Sequence, residues 1–149
     1  MKILLAVHDA KSAQELSRRL ASQFKPDGTE VQLLHVLEEF PISLAEKMGS
    51  PEYPDYPAAR GQLRRVADEF LERTSETLRS AGFRVSALLE EGDAQEIILD
   101  EAERWPAELI VVASHGRKGL RRFLLGGTAE AVARYAKCSV LIVRGLPLS

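Results

Sequence analysis

Five short apolar stretches, Ile3 to Val7, Val31 to Leu37, Phe83 to Leu89, Leu109 to Val112 and Val140 to Val143, are separated by segments with helical periodicity. Ile3 to Val7 and Leu109 to Val112 are continuously apolar, the pattern of strands covered on both faces of a parallel sheet. Strands that alternate with helices need right-handed crossovers, which place helices on both faces. The expected fold is α/β, a three-layer sandwich around a five-stranded parallel sheet.

The connecting segments support this. From Ser12, apolar residues recur at Ala13, Leu16, Leu20 and Phe24, and Pro26-Asp27-Gly28 breaks the pattern. Residues 38–59 hold four of the seven prolines, with Tyr53 and Tyr56 among them, and read as a long loop of the kind used as a lid or binding loop, or else left disordered. Leu63, Val66, Ala67, Phe70, Leu71, Leu78 and Ala81 define the buried face of the longest helix, which Gly82 closes. Asp93 and Glu96 are spaced as a capping box ahead of the stripe Ile97, Ile98, Ala102 and Trp105, and Pro106 stops that helix. Thr128 is positioned to cap a last helix with Val132, Tyr135 and Ala136 on its apolar side.

The 149 residues are most simply one domain, 1–149, long enough to bury roughly 70% of the unfolded chain's surface. A formal net charge of -2 argues against a general nucleic-acid binder. The lone Cys138 forbids an internal disulfide and favours the reducing cytoplasm, and the first apolar run is too short for a secretion signal or a membrane span.

Against that acidic background, residues 109–129 contain no Asp or Glu but carry Arg117, Lys118, Arg121 and Arg122. Local charge opposes global charge, as an anion site requires. Gly116, Gly119, Gly126 and Gly127 let backbone N–H groups approach phosphate oxygens, and the helix starting near Thr128 adds the positive end of its dipole. In a parallel sheet ligands sit beyond the carboxyl ends of the strands, so His8-Asp9 and Ser114-His115-Gly116 would share a crevice if the first and fourth strands were neighbours. The same glycines also serve a plain turn, and the cations a solvated face. His35 reads as a core residue with a satisfied ring, Cys138 as a small apolar group, and Glu90-Glu91 as the end of an exposed strand. No zinc spacing, Walker lysine, Gly-x-Ser-x-Gly elbow or nucleophile–base pair occurs, so no metal ligand and no catalytic residue is assigned. Asp9 alone after the first strand disfavours a phosphorelay receiver, and His8-Asp9-Ala10-Lys11 disfavours a flavodoxin.

Ser114-His-Gly-Arg-Lys-Gly-Leu120, Leu124-Leu-Gly126, Ala129-Glu-Ala-Val132 and Cys138-Ser-Val-Leu-Ile-Val-Arg144 resemble the C-terminal signature of the universal stress protein family. The opening Lys2 to Val7, Leu34-His-Val36, and Glu91-Gly-Asp93 ahead of Ile97 to Ala102 extend the resemblance along the chain. It implies a Rossmann-like, adenine nucleotide alpha-hydrolase-like sheet of strand order 3-2-1-4-5, a homodimer formed through Val140 to Val143, and, in one branch, ATP, with Mg²⁺, held by Gly, two residues, Gly, nine residues, Gly, then Ser or Thr. The nine-residue spacing from Gly116 to Gly126 is intact, but Ala113 stands at the first glycine, Gly127 at the hydroxyl position with Thr128 next, and His8 where relatives carry an aspartate. By the same resemblance Val36 lies near adenine, and Val7, His8, Asp9, Val112, Ala113, His115, Gly116, Arg117, Gly126, Gly127 and Thr128 surround the phosphates and ribose. The implied role is an ATP-binding sensor or regulator of the stress response. The alternatives are a nucleotide-independent dimeric interaction protein and, behind it, a slow ATP hydrolase.

Overall fold

A computed structural model describes residues 1–38, 56–114 and 125–145. Strands β1 (Lys2–Val7), β2 (Glu30–Glu38), β3 (Arg84–Gly92), β4 (Leu109–Ala113) and β5 (Ser139–Val143) alternate with helices α1 (Ala10–Gln23), α2 (Tyr56–Ser80), α3 (Ala94–Arg104) and α4 (Gly127–Tyr135). All strand pairs are parallel, in the order β3-β2-β1-β4-β5. The first and fourth strands are therefore neighbours, with Ile3 opposite Leu109 and Leu5 opposite Val111.

Alternation along the strands builds a core on each face. Ile3, Leu5, Val7, Val31, Leu33 and Val111 pack with Leu16 and Leu20 of α1 and with Phe70, Leu71 and Leu78 of α2. Leu4, Leu34, Ile110 and Val112 pack with Ile98 and Ala102 of α3 and with Ala129 and Val132 of α4. The sandwich is thus α1/α2, sheet, α3/α4.

Several local expectations need correction. The segment read as loop to residue 59 is already helical from Tyr56, because Pro57 falls in the first helical turn, where its missing N–H costs nothing; the loop reading of 39–55 lies outside the described residues. Leu63 and Val66 are 39% and 50% exposed, so the buried face of α2 begins at Ala67. Its middle is filled by Thr74 and Ser75, whose hydroxyls donate to the Phe70 and Leu71 carbonyls at 2.6 and 2.8 Å and so enter the core satisfied. Gly82 does close the helix, at φ 99, with the Phe83 N–H turned back to the Leu78 carbonyl at 3.1 Å. Tyr135 is 65% exposed and contributes nothing to the α4 core, which rests on Ala129 and Val132.

A buried polar pair across the other face also escaped the sequence reading. Gln32 faces α3 from β2, and its Nε2 donates to Glu101 Oε1 at 2.8 Å; both residues are 4% exposed. The other Glu101 oxygen is held by Arg104. Surface residues on helix spacing are ordinarily charged, so a Glu on α3 carried no sign of burial.

Candidate functional site

The carboxyl ends of β1 and β4 open the crevice. The chain leaves β1 by turning at once into α1: Asp9, extended at φ -158 and ψ 176, is the N-cap, and its Oδ1 accepts the Ser12 N–H at 2.7 Å. Ser12 reciprocates, its Oγ accepting the Asp9 N–H at 3.2 Å and donating to the Asp9 carbonyl at 3.1 Å. One Asp9 oxygen thereby caps α1, a role worth about 1 kcal/mol. His8 Nε2 lies 3.7 Å from the other Asp9 oxygen. Beneath them His35, 8% exposed, donates from Nδ1 to the Val7 carbonyl at 2.8 Å and meets the Phe70 ring edge-on at 5.0 Å. The donation is forced, because a carbonyl oxygen has no proton to give.

At the end of β4 the backbone is tied on both sides. The Ser114 N–H donates to the Val143 carbonyl at 2.8 Å, and the Ser114 carbonyl accepts the Gly126 N–H at 2.7 Å. Residue 126 is thereby brought back to where the strand ended. Gly126, at φ -63 and ψ 158, is the N-cap of α4 and makes no side-chain cap bond. Thr128 is consequently not the cap but the second residue of the helix. The helical ladder begins with the Glu130 N–H on the Gly126 carbonyl at 2.9 Å. The N–H groups of Gly127, Thr128 and Ala129 precede it, as the open donors of a helix start do. Gly127 is exposed, Thr128 half-buried and Ala129 buried; donors at a helix start are suited to an anion.

Strand alternation divides the remaining candidates. Val112 and Val36 belong to the α3/α4 face, together with Leu125, Ala94 and Ile97. Val7 and Ala113 pack on the opposite, α1/α2 face, so the Ala113 methyl points away from the surface that Val112 lines. The side chains of these two candidates do not join the others; what they offer the crevice is backbone. His115, Gly116 and Arg117, with the cations at 118, 121 and 122, lie outside the described residues. Among the described residues no three His, Cys, Asp or Glu side chains converge in a way that could hold a metal ion.

Gln95 was missed by the sequence reading. A Cβ placed on Gly127 would lie 3.2 Å from Gln95 Nε2, so this amide sits against the first residue of α4. A polar residue in a helix's first turn has no periodicity to mark it. Along α3 a cleft of about 640 Å³ is lined by Glu90, Ile97, Asp100, Glu101, Glu103 and Arg104, none of them a candidate site residue from the sequence. The acid pair at the end of β3 is tied down: Arg60 and Arg64 reach Glu91 at 3.0 and 2.5 Å, and the Arg60 guanidinium, followed by Arg64, draws the Glu91 carboxyl below its usual range. Cys138 packs against the α3/α4 core, and burial raises its thiol.

With this geometry the chain can be set beside known proteins. The family model for the universal stress protein family matches residues 1–144. The universal stress protein YxiE of Bacillus subtilis is 26% identical over 145 residues, covering 96% of this chain and 98% of its own. Among solved structures, the protein MJ0577 superposes with a TM-score of 0.80 at 26% identity, over 98% of this chain and 96% of that one. Others share the fold at lower identity: an Arabidopsis thaliana family member with AMP bound (TM-score 0.69, 20% identity, 97% of this chain and 91% of that one), an Archaeoglobus fulgidus member in complex with dAMP (0.64, 22%, 95% and 96%) and a member in complex with cAMP (0.62, 18%, 97% and 96%).

Proposed function

The chain belongs to the universal stress protein family, and from that premise we propose that it binds an adenine nucleotide at the β1/β4 crevice, ATP with its Mg²⁺ first among the candidates, and acts as a regulator in the stress response rather than as a turnover enzyme. The observation that carries this reading is the Gly126 N–H bond to the Ser114 carbonyl, which presents the open first turn of α4 directly beside the end of β4. An α-phosphate or longer phosphate chain fits those donors and the helix dipole. Val36 and Val112, on the same sheet face, offer an apolar wall for the base. The relatives that hold AMP, dAMP and cAMP favour adenine as that base.

Regulation in place of turnover is supported by the way the polar groups nearest β1 are used. Asp9 Oδ1 and the Ser12 hydroxyl are bonded to each other's backbone in a helix cap, which leaves them poorly suited to activate a water. Binding then acts by population shift, favouring the state of the protein whose surface suits its partners. We place that action in the cytoplasm; no described helix is long and apolar enough to cross a membrane.

Pairing of two copies through β5 belongs to the same proposal. β5 is an edge strand whose Val140, Leu141 and Ile142 are half-buried. At the opposite edge strand, β3, Arg79 donates to the Val85 carbonyl at 3.1 Å. An edge strand offers its free backbone groups for pairing with a second copy.

Calorimetric titration with ATP and Mg²⁺, AMP and cAMP tests the nucleotide. Saturable binding that Gly126→Val weakens by at least about tenfold, or 1.4 kcal/mol, supports it. Absence of heat at millimolar nucleotide, with none released from the native protein, favours the second reading, a nucleotide-independent interaction protein. Gly127 and His8, at positions where ATP-binding relatives carry a hydroxyl and an aspartate, are the observations behind that alternative.

A further inference from the structure

Gly127 stands where the nucleotide-binding pattern has a serine or threonine, and the structure shows a different polar group beside it. The Gln95 amide nitrogen lies 3.2 Å from the place a Cβ on residue 127 would take, closer than side chains ordinarily approach. A side chain at 127 would therefore require the Gln95 amide to give way by a few tenths of an ångström. Gln95 is the second residue of α3, and its backbone is held: the Asp93 carboxylate accepts the Glu96 N–H at 3.0 Å, and Ile98 and Ala102 pack with Ala129 and Val132 of α4 in one core. Gln95 is half-buried, and among the described residues its amide makes no hydrogen bond.

We infer that Gln95 contacts the phosphate chain of the bound nucleotide, its amide N–H supplying at the start of α4 the hydrogen bond that the missing hydroxyl at 127 does not. This assignment rests on the nucleotide reading above. A neutral amide donates to a phosphate oxygen without adding charge, and Gly127, having no side chain, lets it lie this close to α4 undisplaced. Gly127 and Gln95 are then two halves of one substitution, a hydroxyl moved from α4 to an amide on α3.

The test is a titration of adenosine, AMP and ATP into the wild-type chain, Gln95→Ala, Gln95→Glu and the double variant Gln95→Ala/Gly127→Ser, with thermal melts to show that all are folded. Gln95→Ala is expected to weaken ATP about tenfold, the size of one hydrogen bond to a charged acceptor. Gln95→Glu is expected to weaken ATP more than AMP and to leave adenosine near its wild-type affinity, because a carboxylate repels each added phosphate. The double variant should regain most of the ATP affinity, its serine occupying the space the amide vacated. If the wild-type binds ATP and the Gln95 variants bind it equally well, the assignment of Gln95 fails and the nucleotide reading stands. Equal losses for adenosine and ATP would remove the phosphate contact. A wild-type chain that binds none of the three overturns both.

Discussion

The Gly126 N–H donates to the Ser114 carbonyl at 2.7 Å, joining the end of β4 to the start of α4 across residues 115–125. Ser114 is 5% exposed, so its carbonyl has little access to replacement water. Gly126→Pro isolates this bond, because φ at 126 is -63, the value a proline ring imposes, while the donor is deleted. The expected loss is about 1–3 kcal/mol in chemical denaturation, together with loss of nucleotide affinity. Gly126→Ala, which keeps the donor, should retain most of the stability.

His35 ties β2 to β1 through the Val7 carbonyl at 2.8 Å. His35→Leu fills similar space against Phe70 but leaves that carbonyl without its donor. A destabilisation of about 1–3 kcal/mol follows from the unmet acceptor. His35→Asn, which retains an N–H, should recover part of it if the side chain reaches; equal stability of His35→Leu and wild type would show that the bond carries no net weight.

On the other face, Glu101→Ala leaves the buried Gln32 amide without its acceptor. The expected cost is about 1–3 kcal/mol, because removing the acceptor strands a neutral amide donor in the core. Gln32→Leu/Glu101→Leu, an apolar replacement of the whole pair, should be less damaging than Glu101→Ala. If the double variant is the weaker of the two, the coupling is misassigned.

Acid should loosen α2 from β3. The Arg60 guanidinium beside Glu91, followed by Arg64, holds that carboxyl below its ordinary value. A carboxylate whose folded value is depressed contributes stability that is present above its unfolded value and lost as pH falls through the folded one. The contribution is small at so exposed a pair and screened by salt. Carboxyl-resolved NMR titration should place the Glu91 midpoint below that of an unpaired glutamate, and Arg60→Ala should move it upward. A midpoint unmoved by that substitution would remove the assignment.

Association should distinguish the two sheet edges. Light scattering is expected to give twice the 16.5 kDa chain mass for the wild type. Arg79→Ala unblocks the Val85 carbonyl at the β3 edge and is expected to add species larger than the dimer. A wild-type monomer at micromolar concentration would sink pairing through β5.

The strand–helix alternation, the parallel sheet and the family were legible in the chain because they rest on signals within a few residues: apolar runs, helical spacing and the C-terminal signature with its intact Gly116 to Gly126 spacing. Misreadings arose where a local signal was overruled. Val66 continues the apolar rhythm of α2 yet is 50% exposed, because the sheet covers the helix only from Ala67. Thr128 looks like a cap, but the Ser114 carbonyl holds the preceding backbone and moves the helix start to Gly126.

What tertiary structure alone decided is which distant groups meet. Parallel crossovers set α3 beside α4, and that packing puts the Gln95 amide against Gly127, Gln32 against Glu101, and the Ala113 methyl on the face opposite Val112. Periodicity says that a residue is buried; it carries no information about which remote residue shares the space, since that follows from how whole elements pack. The anion-site reading of residues 113–128 came from glycines and charge, whereas the nearness of Gln95, on a different helix, could not be read from the chain.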